Sequence, residues 1–115
     1  MNSNKKLGEI GEQLAADFLV NRGFDILERN YRYKRAEIDI IGQKDNLLVF
    51  FEVKYRKNNS FGNPEDFVTG RKIELIQMAS ENYIEEIQWK GNIRFDIIGI
   101  LKKSPSEIEH FEDAF

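Results

Sequence analysis

The chain has no cysteine and a single histidine in 115 residues. Without cysteine there is no disulfide framework and no thiolate metal site. The lone His110 sits in an acidic C-terminal stretch, a poor start for a proton relay. Long hydrophobic runs are also missing: the longest uninterrupted one, LLVFF, is far too short to cross a bilayer. The opening MNSNKK is not followed by the apolar core of a secretory signal. No P-loop, dinucleotide-binding glycine pattern or Ser/His/Asp relay is present, which sets those classes aside. Together these absences predict a cytoplasmic protein with no membrane partner.

What is present suits a folded domain. Apolar residues make up 41% and charged residues 32%, the balance of a globular protein rather than a disordered chain. The length predicts one domain over residues 1–115, with 104–115 as a peripheral strand or a loose acidic tail. The net charge of −3 hides an asymmetry: residues 29 to 57 carry eight Lys/Arg against four acids, and residues 73 to 115 carry four against nine. A wholly basic nucleic-acid coat is therefore excluded, while one face can still meet a polyanion.

KKLGEIGEQLAADFLVNRG reads as a helix, with Leu7, Ile10, Leu14 and Phe18 at three- and four-residue spacing and Gly23 as the stop. FDILERNYRY, AEIDIIG and LLVFFEVKYR read as three strands, the last two joined by a turn at QKDN. KNNSFGNPEDF is a loop, in which Gly62 allows a turn and Asn63 and Pro64 suit a short cap. GRKIELIQMASENYIEEI is a second helix, with Ile73, Ile76, Ala79, Tyr83 and Ile87 on one face, and IRFDIIGIL is a last strand. The order is αβββαβ, an α/β fold whose fourth strand lies parallel to an earlier one in a mixed sheet flanked by helices.

Three charges interrupt this pattern. Asp39 breaks the second strand, and Glu52 and Lys54 break the third, where burial without partners would cost on the order of several kcal/mol each. Glu52 and Lys54 leave the same strand face roughly 7 Å apart, and a short hairpin brings Asp39 beside Glu52. Two converging carboxylates repel unless a cation neutralises them. Oxygen ligands alone suit a hard ion, Mg²⁺ or Mn²⁺, and a lysine beside it can stabilise charge on a phosphoryl group or orient water. On the first helix Glu12 flanks the apolar stripe one turn after Gly8 and can look along the sheet edge, whereas Glu9 faces water. The plain alternative is a cross-strand salt bridge on a wet face. Against it, LLVFF shows no alternation, as in a strand covered on both sides.

Arg29, Arg32, Lys34 and Arg35 cluster beside Tyr31 and Tyr33, and Arg56 and Lys57 follow Lys54. The first four read equally as phosphate contacts or as charges protecting an edge strand, and Arg56 and Lys57 can line a groove for a phosphate backbone. Arg71 and Lys72, at the start of the second helix, can line the same groove. Glu37 shares the face of Asp39 and either reaches the site or pairs with a cation. Asp96 reads as a structural partner for an arginine, and Tyr83 and Trp89 as packing residues.

An acid, about a dozen residues, then Glu-x-Lys at the end of a hydrophobic strand resembles the core of the restriction-endonuclease-like nucleases. More narrowly, LGEIGEQLAADFL, RNYRYKRAEIDII, LLVFFEVKYRKNNSFGNPED and IRFDIIGI, in that order over residues 7 to 101, resemble the YraN family of uncharacterised bacterial proteins, distantly similar to archaeal Holliday-junction resolvases. The resemblance implies Asp39 and Glu52 as metal ligands, the Val53 carbonyl as a further ligand, Lys54 as the catalytic lysine and Glu12 as an assisting acid. It implies a Mg²⁺- or Mn²⁺-dependent endonuclease acting on DNA, branched or junction DNA included; of the basic residues above, Arg32, Arg35, Arg56 and Lys57 are the candidates to lie against the backbone. Ala36 departs from the glycine usual there: if that glycine served a positive φ, alanine would be strained. Two other classes stay in view, a nucleic-acid-binding protein on the same fold that does not cut, and an interaction module whose charges form salt bridges. Monomer and homodimer are both compatible.

Overall fold

A computed structural model describes residues 3–56, 68–102 and 105–115. In chain order they form α1 (Ser3–Asn21), β1 (Asp25–Tyr33), β2 (Ala36–Lys44), β3 (Leu47–Arg56), α2 (Gly70–Ile87), β4 (Asn92–Leu101) and β5 (Glu107–Phe111). The first six elements follow the expected αβββαβ order. The strands build one mixed sheet in the order β1-β2-β3-β4-β5, antiparallel except for the β3–β4 pair. That pair is parallel because the connection carrying α2 returns the chain to the starting end of the sheet. The 57–67 loop reading, with Lys57 in it, lies outside the described residues.

Each face of the sheet has its own core. Leu48 and Phe50 of β3 meet Ile76, Ala79 and Tyr83 of α2, while Val49 and Phe51 meet Ala15, Ala16 and Leu19 of α1. A strand covered on both faces has no wet side to encode, which is why LLVFF lacks alternation.

The buried side of α1 differs from the predicted stripe. Ile10 is 43% exposed and Leu14 and Phe18 only half-buried, whereas Gly11, Ala15, Ala16 and Leu19 are buried; the Leu7 side chain lies outside the described residues. The helix turns its small residues to the sheet so that the backbones can approach. A methyl group on Gly11 would stand 2.7 Å from Tyr55 Cδ2 and 3.1 Å from its Cβ, while one on Gly8 would meet nothing. The glycine that this closeness requires is therefore Gly11. Gly11→Ala is expected to cost about 1–2 kcal/mol, overpacking outweighing the helix-propensity gain. Gly8→Ala is expected to gain up to about 1 kcal/mol from propensity alone. Urea unfolding of both variants checks this, and equal shifts of one sign would disprove the packing argument.

In α2, Ile76, Ala79 and Tyr83 are buried as predicted, but Ile87 is 40% exposed. It is the last helical residue, directly before Gln88 turns left-handed at φ 54° and its N–H closes onto the Ile84 and Glu85 carbonyls. At the other end Thr69 caps the helix, its hydroxyl accepting from Lys72 N at 3.2 Å.

The C-terminal stretch is a peripheral strand: β5 pairs antiparallel with β4, and Ala114 N donates to Phe95 O at 2.8 Å. As predicted, Asp96 is held by an arginine, Arg94, through two bonds of 2.8 Å.

Candidate functional site

The ladder between β2 and β3 pairs Lys44 with Leu47 and continues to Ile40 with Phe51. There side-chain alternation changes phase: Ala36 and Ile38 belong to the α2-side core, yet Ile40 belongs to the α1-side core and Ile41 to the α2 side again. Asp39 is the residue at the change. Beyond it the strands part, and the Asp39 carboxylate takes over the role of a backbone acceptor, with Val53 N donating to its Oδ2 at 2.7 Å. A side chain in that position satisfies a half-buried N–H that the parted ladder leaves without a partner on β2.

The opening forms a cleft of about 390 Å³ under the start of α2, lined among others by Arg35, Asp39, Glu52, Thr69, Arg71 and Lys72. Glu52 is 4% exposed and Asp39 lies against it. Burial, the hydrogen bond with Glu52 and the Glu52 charge push the Asp39 carboxyl up to about 9, against the pull of the Val53 N–H. At neutral pH Asp39 therefore keeps a proton and shares it with Glu52.

Two lysines neutralise this pair. Lys72 Nζ stands 2.9 Å from Glu52 Oε2, at an angle outside hydrogen-bond geometry, so Oε2 is buried with an ion pair but without a hydrogen bond. Burial disfavours the Lys72 charge, but the Glu52 carboxylate outweighs it and raises the Lys72 pKa. Lys54, two residues after Glu52 on the same strand face, is shifted the other way, first by burial and then by the Lys72 charge. Asp39, Glu52, Lys54 and Lys72 thus form one interacting group.

Glu12 approaches from the α1 side. It borders a second cleft of about 350 Å³ with Gly8, Glu9, Asn30, Arg32 and Glu37. Its pKa is raised, first by burial and further by the charges of Glu37 and Glu52, while a hydrogen bond with Asn30 and the Arg29 charge oppose the rise. Asn30 takes a left-handed backbone, φ 54°, within β1. Glu12 therefore feels the acid pair without joining it. Among the described residues no three His, Cys, Asp or Glu side chains gather closely enough to hold a metal ion as they stand.

Of the predicted cations, Arg35 reaches the first cleft and Arg32 the second. Arg32 pairs with Glu37 at 2.8 Å, and Arg29 donates to Gln13 Oε1 at 2.9 Å. β1 is an edge strand, so the protective reading of these charges fits their place. Arg56 is half-buried at the end of β3. Ala36 is buried in β2 and is not among the residues with positive φ, so its methyl carries no backbone strain.

Sequence reasoning gives Lys72 only a groove-lining role. A signal for more is there: two cations, Arg71 and Lys72, open α2 where no acid stands, although the helix dipole favours acids there. Cations placed against the dipole indicate a negative partner nearby, and here that partner is Glu52.

The family model described as "Uncharacterised protein family UPF0102" matches residues 11–100. Among similar proteins, a UPF0102 protein of Flavobacterium psychrophilum is 47% identical, covering all of this chain and 98% of its own. One from Christiangramia forsetii is 45% identical over the same shares of the two chains. One from Geotalea daltonii is 46% identical over 99% of this chain and 92% of its own. None of these names states an activity.

Proposed function

The chain belongs to the UPF0102 family, the YraN family its motifs resemble, and from that premise we propose that it is a divalent-cation-dependent endonuclease. Its substrate would be DNA, branched or junction DNA included. The observation that carries this reading is Asp39, half-buried, set against the buried Glu52 at the parting of β2 and β3, with Lys54 on the same face as Glu52. A salt-bridged strand pair would have no need to set a second acid against a buried one.

The donor set fits Mg²⁺ or Mn²⁺: one carboxylate on β2 and one on β3, the latter with an oxygen buried without a hydrogen bond, and the Val53 carbonyl next along β3 as a third donor. Asp39, Glu52 and the Val53 carbonyl would hold the cation, with Glu12 assisting from the second cleft. Bound there, it would supply Lewis-acid activation of water and phosphoryl group. Lys54 has the rest of the work. Its ammonium is positioned by the strand two residues from Glu52, where it can offset charge developing on the phosphoryl oxygens. Its lowered pKa also makes it the readier of the two lysines to exchange a proton with water. Arg35 and Arg71 border the cleft on its outer side, where a phosphodiester backbone would pass.

A second reading, nucleic-acid binding without cleavage, draws on the absence of a closed three-ligand group among the described residues. Incubation with end-labelled duplex, single-stranded and four-way-junction DNA in Mg²⁺ and then Mn²⁺ separates the two. Cleavage lost on Asp39→Asn and reduced about 100-fold or more on Lys54→Ala is expected. Salt-sensitive binding with no product in either metal would transfer the assignment to the binding module. An unimpaired Asp39→Asn variant would remove the acid pair from the chemistry.

A further inference from the structure

We propose that Lys72 is an internal counter-ion of the cation site, occupying Glu52 while no divalent cation is bound and yielding it when one arrives. The inference rests on the cation-site reading above and adds the step by which the site is kept and then vacated. Three observations carry it. Lys72 Nζ lies 2.9 Å from Glu52 Oε2, the carboxylate oxygen a cation would take. The contact lacks hydrogen-bond geometry, so Oε2 is neutralised without being locked in a directed bond. And the two partners differ in freedom: Glu52 is fixed in the sheet at 4% exposure, whereas the Lys72 side chain is 40% exposed, on the rim of the cleft.

An ammonium and a divalent cation compete for one buried oxygen, since their mutual repulsion at about 4 Å is larger than the attraction the ammonium draws from the oxygen at 2.9 Å. The mobile partner gives way. Lys72 has four carbons of reach from the first turn of α2, and the cleft offers it a second place beside Thr69 and Arg71, above the helix N-terminus. There the freed ammonium, Arg71 and the positive helix end all favour an anion. A phosphate group of the backbone that the bound cation brings into the cleft meets that requirement. Lys72 thus changes partner, from the site's carboxylate to the substrate's phosphate. Lys54 is the less suited to this exchange, because it projects from β3 itself rather than from the rim of the cleft.

The test is calorimetric titration of Mn²⁺ into the metal-free 115-residue chain, comparing wild type with Lys72→Met, Lys72→Gln, Arg71→Met and Glu52→Gln. Removing the competitor should tighten Mn²⁺ binding about 10-fold or more in both Lys72 variants. Arg71→Met, which removes a neighbouring charge that pairs with Glu74 instead, measures the general electrostatic effect and should change affinity no more than about 2–3-fold. Anisotropy of a labelled DNA duplex in Mn²⁺ should show the opposite sign, with weaker duplex binding in both Lys72 variants. Mn²⁺ affinity in the Lys72 variants equal to that of wild type or of Arg71→Met would overturn the counter-ion role. Unchanged duplex affinity would overturn the change of partner. If wild type binds Mn²⁺ and Glu52→Gln does not, the cation site stands whatever Lys72 does. If no variant binds, the site and the counter-ion fail together.

Discussion

Asp39→Asn should make the metal-free protein more stable, and increasingly so as pH rises. In the folded protein Asp39 holds its proton up to about 9, whereas its ordinary value is 3.8. A raised folded pKa gives a contribution fully present below about 3.8 and lost as pH climbs toward 9, because the folded state must keep a proton that the unfolded chain releases. Between those limits this one group lowers stability by at most about 1.4 kcal/mol per pH unit. Asparagine is nearly isosteric with the protonated acid. Its carbonyl can accept from Val53 N and its amide can donate to Glu52, with no proton to take up. The gap between variant and wild type should therefore widen from pH 5 to pH 8, reaching on the order of 2–4 kcal/mol, or roughly 10–20 °C in Tm at this chain length.

Urea unfolding in a chelator at pH 5, 6, 7 and 8 measures the gap directly. Parallel stability curves for the two proteins would mean that Asp39 is ionised in the fold and that the proton shared with Glu52 does not exist. Mn²⁺ should then stabilise wild type and leave the asparagine variant unmoved, because binding to the native state alone raises stability by mass action. A residue whose removal both stabilises the fold and removes the response to Mn²⁺ is one that the fold tolerates for function.

That conflict between local rule and placement is what makes the pair legible in the sequence. Asp39 and Glu52 each break a hydrophobic strand, and a short hairpin leaves them little choice but to meet. The limits of β3 and α2 are readable for a similar reason: a continuous apolar run and a clear helical period mark their own ends. The contact face of α1 is not, because Gly11, Ala15 and Ala16 carry little hydrophobic signal, and the determining fact is how closely the helix approaches Tyr55. Lys72 is hidden by distance: twenty residues separate it from Glu52, and only the packing of α2 over the parted strands joins them. His110 is hidden the same way. It stands in a stretch without hydrophobic period, and its surroundings come from β4, α1 and the Phe24 end of the first connection.

The second large effect lies in those surroundings, on the face of the sheet away from Lys72. Asp96 is fully buried, and its two oxygens accept four bonds: Arg94 Nε at 2.8 Å and Asp113 N at 2.9 Å on Oδ1, Arg94 Nη2 at 2.8 Å and His110 Nε2 at 2.7 Å on Oδ2. Arg22 Nη1 is 3.3 Å from His110 Nδ1. Arginine has nothing with which to accept, so Nδ1 is the acceptor and the ring proton sits on Nε2, toward Asp96. His110 also packs against the rings of Phe18, Phe24 and Phe51. One carboxylate thus ties β5 and the residues after it to β4, and through His110 to α1. Burial alone would raise its pKa, but the bonds from His110, Arg94 and Asp113 N prevail and lower it. A lowered pKa gives stability that is present above the ordinary value of 3.8 and lost as pH falls through the folded value. Asp96→Ala, which leaves Arg94 and His110 facing a void, is expected to cost about 3–5 kcal/mol. Asp96→Asn should cost less, since it keeps the volume but turns an N–H₂ group toward donors. Both losses should shrink as pH falls from about 6 to below about 4, where the unfolded chain takes up a proton that folded Asp96 resists. Urea unfolding across that range reads the effect, and an Asp96→Ala variant within about 0.5 kcal/mol of wild type would show that the strap is held by β-pairing and aromatic packing alone.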